Sequence, residues 1–198
     1  MAHQTPKKLP VEFSAMRLAA IIFYIFAVTV DIFRFSFEVA SGAFLLYELA
    51  VIIFDTIFGF ALLFGLFKRN YGLIDLMLVI LKVWDGTFFI LNSFMKFDSG
   101  HINYLERITN DFLLAAGILS LTTFFFFCLH YYYEENKYWK WIEFTVFLTG
   151  IALLGATIVA IINCTTGDIQ WFNVMEIVAM CLQTLAIYFV CRYVENYE

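Results

Sequence analysis

Trp141-Ile-Glu-Phe-Thr-Val-Phe-Leu-Thr-Gly-Ile-Ala-Leu-Leu-Gly-Ala-Thr-Ile-Val-Ala-Ile-Ile162 holds a single charged side chain, Glu143, in 22 residues. As a helix rising 1.5 Å per residue it reaches about 33 Å, against a hydrocarbon core roughly 30 Å thick. It has no polar face to turn to water, so it reads as a membrane span. Five further apolar stretches of similar length lie at about 13–33, 43–67, 71–95, 108–133 and 174–194, so that spans fill almost all of the 198 residues. With 63% hydrophobic residues, 15% charged and a mean hydropathy of +0.83, the composition agrees. The fold class is all-α: a polytopic membrane protein, a compact bundle of six transmembrane helices with short loops.

Domain organisation follows. Residues 1–12 form a polar stub holding both prolines, expected to be disordered and cytoplasmic; 13–194 form one transmembrane domain, and 195–198 a cytoplasmic tail. Connections of roughly 3 to 12 residues make consecutive helices antiparallel neighbours and leave no room for a soluble domain. A cleaved leader would shorten the chain by one span, but the first apolar run is long for that role and a retained helix is expected.

Lysine and arginine set the orientation. With the N-terminus inside, the inner side receives Lys7, Lys8, Arg17, Lys68, Arg69, Lys137, Lys140 and Arg192, and the outer side only Arg34, Lys96 and Arg107. That asymmetry favours both termini in the cytoplasm. Tyr131, Tyr132, Tyr133, Trp139 and Trp141 then anchor the inner interface, and Tyr104 and Trp171 the outer one. The aromatic run from Thr123 to Tyr133 is accounted for by lipid contact and anchoring rather than by a ligand.

Several functions are disfavoured. The net charge of −5 comes without a basic stripe, which argues against nucleic acid. No Cys/His spacing suggests zinc, no disulfide framework is expected of Cys128, Cys164, Cys181 and Cys191, and the thiols read as small core residues. No cofactor is expected. His3, His101 and His130 share no motif with a nucleophile, so an enzyme is the less favoured class; a lipid-modifying activity using His130 with Asp75 or Glu143 ranks third. Asn163-Cys-Thr165 matches a glycosylation sequon, but its asparagine sits at the expected membrane surface, and a chance tripeptide at a helix end is the favoured reading.

The chemistry lies in charge within the spans. A central ionisable group costs about 2.5–3.5 kcal/mol to insert, so each requires a reason. Glu48 and Asp55, Asp75 and Lys82, and Glu176 and Gln183 are each seven residues apart, a spacing that returns to one helix face within roughly 20°. Three helices therefore each carry a polar stripe that must face inward. Asp55, Lys82, Asp85 and Gln183 fall near the middle of their spans, and if Lys82 pairs with one aspartate the other is left uncompensated. Such a group is expected to bind a cation or take up a proton. Glu48, Glu176 and Gln183 would line an outer approach to a central Asp55–Lys82–Asp85 site. The competing explanation is interhelical glue, about 0.6 kcal/mol per polar contact and occasionally 1–2. Asp31 with Arg34 reads as a pair at a helix end, and Ser120, Thr122, Thr123 and Thr157 as hydroxyls bonded to their own preceding turn.

Two functional classes result. One is a small channel or carrier-like protein for a cation or proton-coupled solute. Its helices lack the proline and glycine breaks that carriers commonly use, which weighs against it. The other is a non-enzymatic subunit or adaptor that assembles with another membrane protein. Beyond the lipid bilayer itself, the expected partners are a membrane protein or further copies of the chain.

Overall fold

The computed structural model describes residues 11–41, 46–95, 103–133, 137–166 and 171–195. These form six helices: α1 (Val11–Ser41), α2 (Leu46–Lys68), α3 (Tyr71–Met95), α4 (Tyr104–Tyr133), α5 (Lys137–Thr165) and α6 (Trp171–Glu195). Five are long and apolar enough to cross a membrane; the sixth, α3, carries Asp75, Lys82 and Asp85 along its length. The chain is thus an all-α, multi-pass membrane bundle. Large apolar side chains such as Phe26, Phe60, Phe67 and Ile57 stand exposed around its outside, as a lipid-facing surface requires.

Local chemistry fixes the turns. Arg69 takes a left-handed φ of 54°, and the Asn70 amide reaches back to the Gly65 carbonyl at 2.9 Å, closing α2 in a Schellman motif. Asn70 then caps α3, its Oδ1 accepting from the Leu73 amide at 3.2 Å. At α4 the Asn103 Oδ1 accepts from the Glu106 amide at 2.7 Å. The Asn103 side-chain amide also donates to Asn163 Oδ1 at 2.9 Å, joining the start of α4 to the end of α5. Asn163 is fully buried in this contact, the geometry of a structural helix-end residue.

Each helix packs on its neighbours in sequence and α6 closes back on α1, so the six form a ring. We refer to the end holding the start of α1 and the end of α6 as proximal and the opposite end as distal. In the proximal half one apolar core draws on all six helices, including Tyr24, Leu62, Leu78, Leu81, Phe127, Ile142, Ile187 and Val190. A second core, with Phe89, Leu113, Leu153, Ala156 and Ile177, is built by α3, α4, α5 and α6 alone. At that level α1 and α2 contribute charge instead.

Hydroxyls follow the expected pattern with one exception. Thr122, Thr123 and Thr157 bond to carbonyls one turn back, and Thr123 also meets Thr145 at 2.9 Å across α4 and α5. Ser120 departs from it: fully buried, its Oγ has no partner among the described residues. The cysteines are all free, and only Cys191 is a core residue; Cys128 is exposed, because its position on α4 turns away from the bundle.

Two glycines let α3 and α4 approach. A Cβ at Gly117 would lie 2.7 Å from Ile90 Cγ1 and 3.0 Å from the Gly86 carbonyl oxygen. Because one of those atoms is backbone, relief requires the helices to separate. Gly117→Val is therefore expected to destabilise by about 1–3 kcal/mol in a thermal melt in detergent. Gly150→Ala, whose Cβ would meet only Thr184 Cγ2 at 3.9 Å, is expected to melt at or above the wild-type temperature.

Candidate functional site: a buried acidic cluster

The interior face of α3 repeats at alternating steps of four and three: Tyr71, Asp75, Leu78, Lys82, Asp85, Phe89 and Asn92. This near-heptad spacing keeps one stripe turned to the ring interior over the whole helix. Across the ring, side chains from α6 meet it at both ends. The Tyr71 and Tyr193 hydroxyls are 3.0 Å apart proximally, and Asn92 Nδ2 donates to Glu176 Oε1 at 3.1 Å distally.

Lys82 has no exposed surface and donates from Nζ to Asp85 Oδ2 at 3.2 Å. Their i,i+3 spacing needs no other helix to bring them together. Asp55 of α2 has no such ion-pair partner among the described residues. The hydroxyl of buried Tyr24 donates to the Asp55 backbone carbonyl at 3.3 Å, with the ring lying against Gly59, where a Cβ would overlap it. The α1–α2 seam is thus tied beside Asp55 while the carboxylate stays uncompensated. Its Oδ1 has no hydrogen-bond partner among the described residues. The Trp84 indole N–H approaches this carboxylate as a donor, short of full hydrogen-bond geometry, and the Gln183 Nε2 has no partner among the described residues.

A second knot of charge lies towards the distal end. Arg34 Nη1 donates to Glu38 Oε1 at 2.8 Å and lies 3.8 Å from Glu176 Oε2, while Nε donates to Asp31 Oδ1 at 3.3 Å. Arg34 is only 3% exposed, so this is no surface pair. The expectation of a pair at a helix end is corrected here. The helix runs to Ser41 rather than stopping near Phe33, because Arg34 and Glu38 find their partners inside the bundle. Arg34 accordingly drops out of the loop charges.

These groups converge. Asp31, Arg34, Asp55, Asp85, Glu176 and Gln183 line one small cavity, whose apolar wall includes Val51, Phe88, Phe89 and Met180. It measures about 20 Å³, room for one water, and far too small for an organic molecule. With Lys82 and Glu38 included, five carboxylates stand against two cations, a formal excess of three negative charges. Among the described residues no three of His, Cys, Asp or Glu converge closely enough to hold a metal ion.

Of the residues singled out from sequence, Asp55, Asp85, Glu176 and Gln183 share the cavity, and Lys82 adjoins it through Asp85. The side chain of Glu48 lies outside the described residues. Asp31, Arg34, Glu38, Trp84 and Asn92 join the cluster without having been picked out for it. His130 lies edge-on to Trp139 and Tyr131, with ring centroids 5.4 and 6.0 Å apart, while Glu143 pairs with Arg192 at 3.2 Å. Fold and site define a multi-pass helical membrane protein with a charged centre. Comparison with family models, curated proteins and solved structures gave no match for this chain.

Proposed function

We propose that the protein binds a small cation or a proton in the acidic cluster and moves it across the membrane. The carrying observation is Asp55, a carboxylate at mid-span with no cation paired to it among the described residues, beside a water-sized cavity whose carboxylates outnumber its cations. Structural glue requires compensated charge; an uncompensated carboxylate attracts a positive ligand. Asp55, Lys82 and Asp85 form the central site, with Gln183 on the same cavity and Glu176 towards its distal side. The loop charges put both termini in the cytoplasm, which makes the distal end the outer one. In liposomes the purified chain is expected to carry ion flux that falls at least tenfold in Asp55→Asn and in Asp85→Asn, each still eluting as a folded species. Unchanged flux in both variants would refute the site.

A second reading, an assembly subunit, draws on a different observation. The α1–α2 seam is the loosest in the ring and opens outward into an apolar groove of about 150 Å³ between Tyr24, Val28, Thr56 and Phe60. A single large apolar side chain from a partner protein's transmembrane helix would fit there. Purification in mild detergent followed by mass spectrometry separates the readings: a stoichiometric membrane partner supports the subunit, and recovery of the chain alone opposes it.

A further inference from the structure

We propose that the ion is the proton, and that Lys82 hands it past the closed centre of the bundle from Asp85 to Asp75. The inference rests on the transport reading above and narrows it. On the proximal side of the cavity, Leu62, Leu66, Leu78, Leu81, Ile187 and Val190 are all fully buried, so the described helices leave no passage for a hydrated ion. Lys82 sits in that closure with no exposed surface. A fixed ammonium at the constriction repels a metal cation, and among the described residues no trio of His, Cys, Asp or Glu converges to take the place of its hydration shell. A proton needs neither passage nor ligands, because an ammonium can release one proton and accept another.

The stripe on α3 gives Lys82 two carboxylates to serve. Asp85 is the present partner, three residues on, and Asp75 lies seven residues back on the same face, about 10.5 Å along the axis. Helical rotamers send long side chains back towards the helix N-terminus, which here is towards Asp75. Cys191 of α6 lies within electrostatic range of both Lys82 and Asp75, so the two flank one interior region. The titratable and charged groups around the path include Asp85 and Asp75 of α3, Cys191 of α6, Glu143 of α5 with its partner Arg192 of α6, and Asp55 of α2 across the cavity. Beyond Asp75 the stripe continues to the Tyr71–Tyr193 hydroxyl pair at the proximal end.

The exchange balances. Lys82 as ammonium turns from Asp85 to Asp75; one N–H bond breaks and an O–H bond forms, leaving a neutral amine and a neutral acid. The freed Asp85 carboxylate takes a proton from the cavity. The amine returns and removes that proton, restoring the ammonium–carboxylate pair, and Asp75 releases its proton to proximal water. One proton has crossed and every charge is as before.

The test uses the full chain in sealed liposomes, with a pH-sensitive dye inside and a potassium diffusion potential set by valinomycin, and sodium-22 uptake measured in parallel vesicles. Wild type is expected to move protons and no sodium. Lys82→Arg keeps the charge but cannot give up a proton, and Asp75→Asn removes the acceptor; each is expected to reduce proton flux at least tenfold while eluting as wild type does. Sodium uptake without proton flux would overturn the proton inference and leave the transport reading standing. Proton flux persisting in Lys82→Arg would overturn the relay. Should that variant fail to fold, persisting flux in Asp75→Asn overturns it equally. Absence of any ion movement in wild type would overturn both.

Discussion

Arg34→Met is expected to destabilise the bundle by about 3–5 kcal/mol, the range for removing one partner from a buried ion pair. Arg34 is 3% exposed and holds Asp31, Glu38 and Glu176, so its loss leaves three carboxylates crowded in a low-dielectric interior. The penalty comes less from the lost contacts than from the charge left behind. Adding Glu38→Gln to Arg34→Met should therefore recover part of the loss, a coupling that independent sites would not give. Thermal melts of the two variants in one detergent check this. By contrast, Arg192→Gln at the proximal end, where the arginine is 40% exposed in its pair with Glu143, is expected to change stability by at most about 1 kcal/mol.

Lys82→Met is expected to show a comparable loss of about 3–5 kcal/mol, because Asp85 then stays buried without the one ion-pair partner it has among the described residues. Lys82→Met combined with Asp85→Asn replaces the whole pair with neutral groups of similar size and should regain most of the stability, since a buried pair as a whole contributes little net. Stability and function are then expected to part: the double variant folds well and carries no flux. A double variant as unstable as Lys82→Met alone would mean that the pair is a net source of stability, as a structural pair within α3 would be.

The spans were legible because apolarity over about 20 residues is a physical requirement of the bilayer. Their ends were less so. Helices α4, α5 and α6 begin three or four residues before the apolar stretches at 108, 141 and 174, since interfacial residues such as Trp139 and Trp171 continue the helix after the hydrocarbon ends. The Asp75–Lys82–Asp85 part of the stripe on α3 was legible from its spacing alone. The same rule applied to α1 puts Asp31, Arg34 and Glu38 on one face at i, i+3 and i+7, but a span taken to end at Phe33 put Arg34 in a loop. Contacts such as Asn92–Glu176 and Asn103–Asn163 join residues 84 and 60 apart and depend on the ring closing, which no local pattern encodes. Which aspartate Lys82 chooses was open from composition; in the folded chain the i,i+3 geometry on its own helix decides it for Asp85.

A functional carboxylate and a structural one respond oppositely to neutralisation. An unpartnered buried charge lowers stability, so removing it should help folding while abolishing activity; a compensated one should do the reverse. Asp55→Asn measured for both melting temperature and ion flux in liposomes is therefore the most direct test. A melting temperature at or above wild type with flux reduced at least tenfold is the predicted result. A lowered melting temperature with flux unchanged would contradict it and identify Asp55 as part of the scaffold.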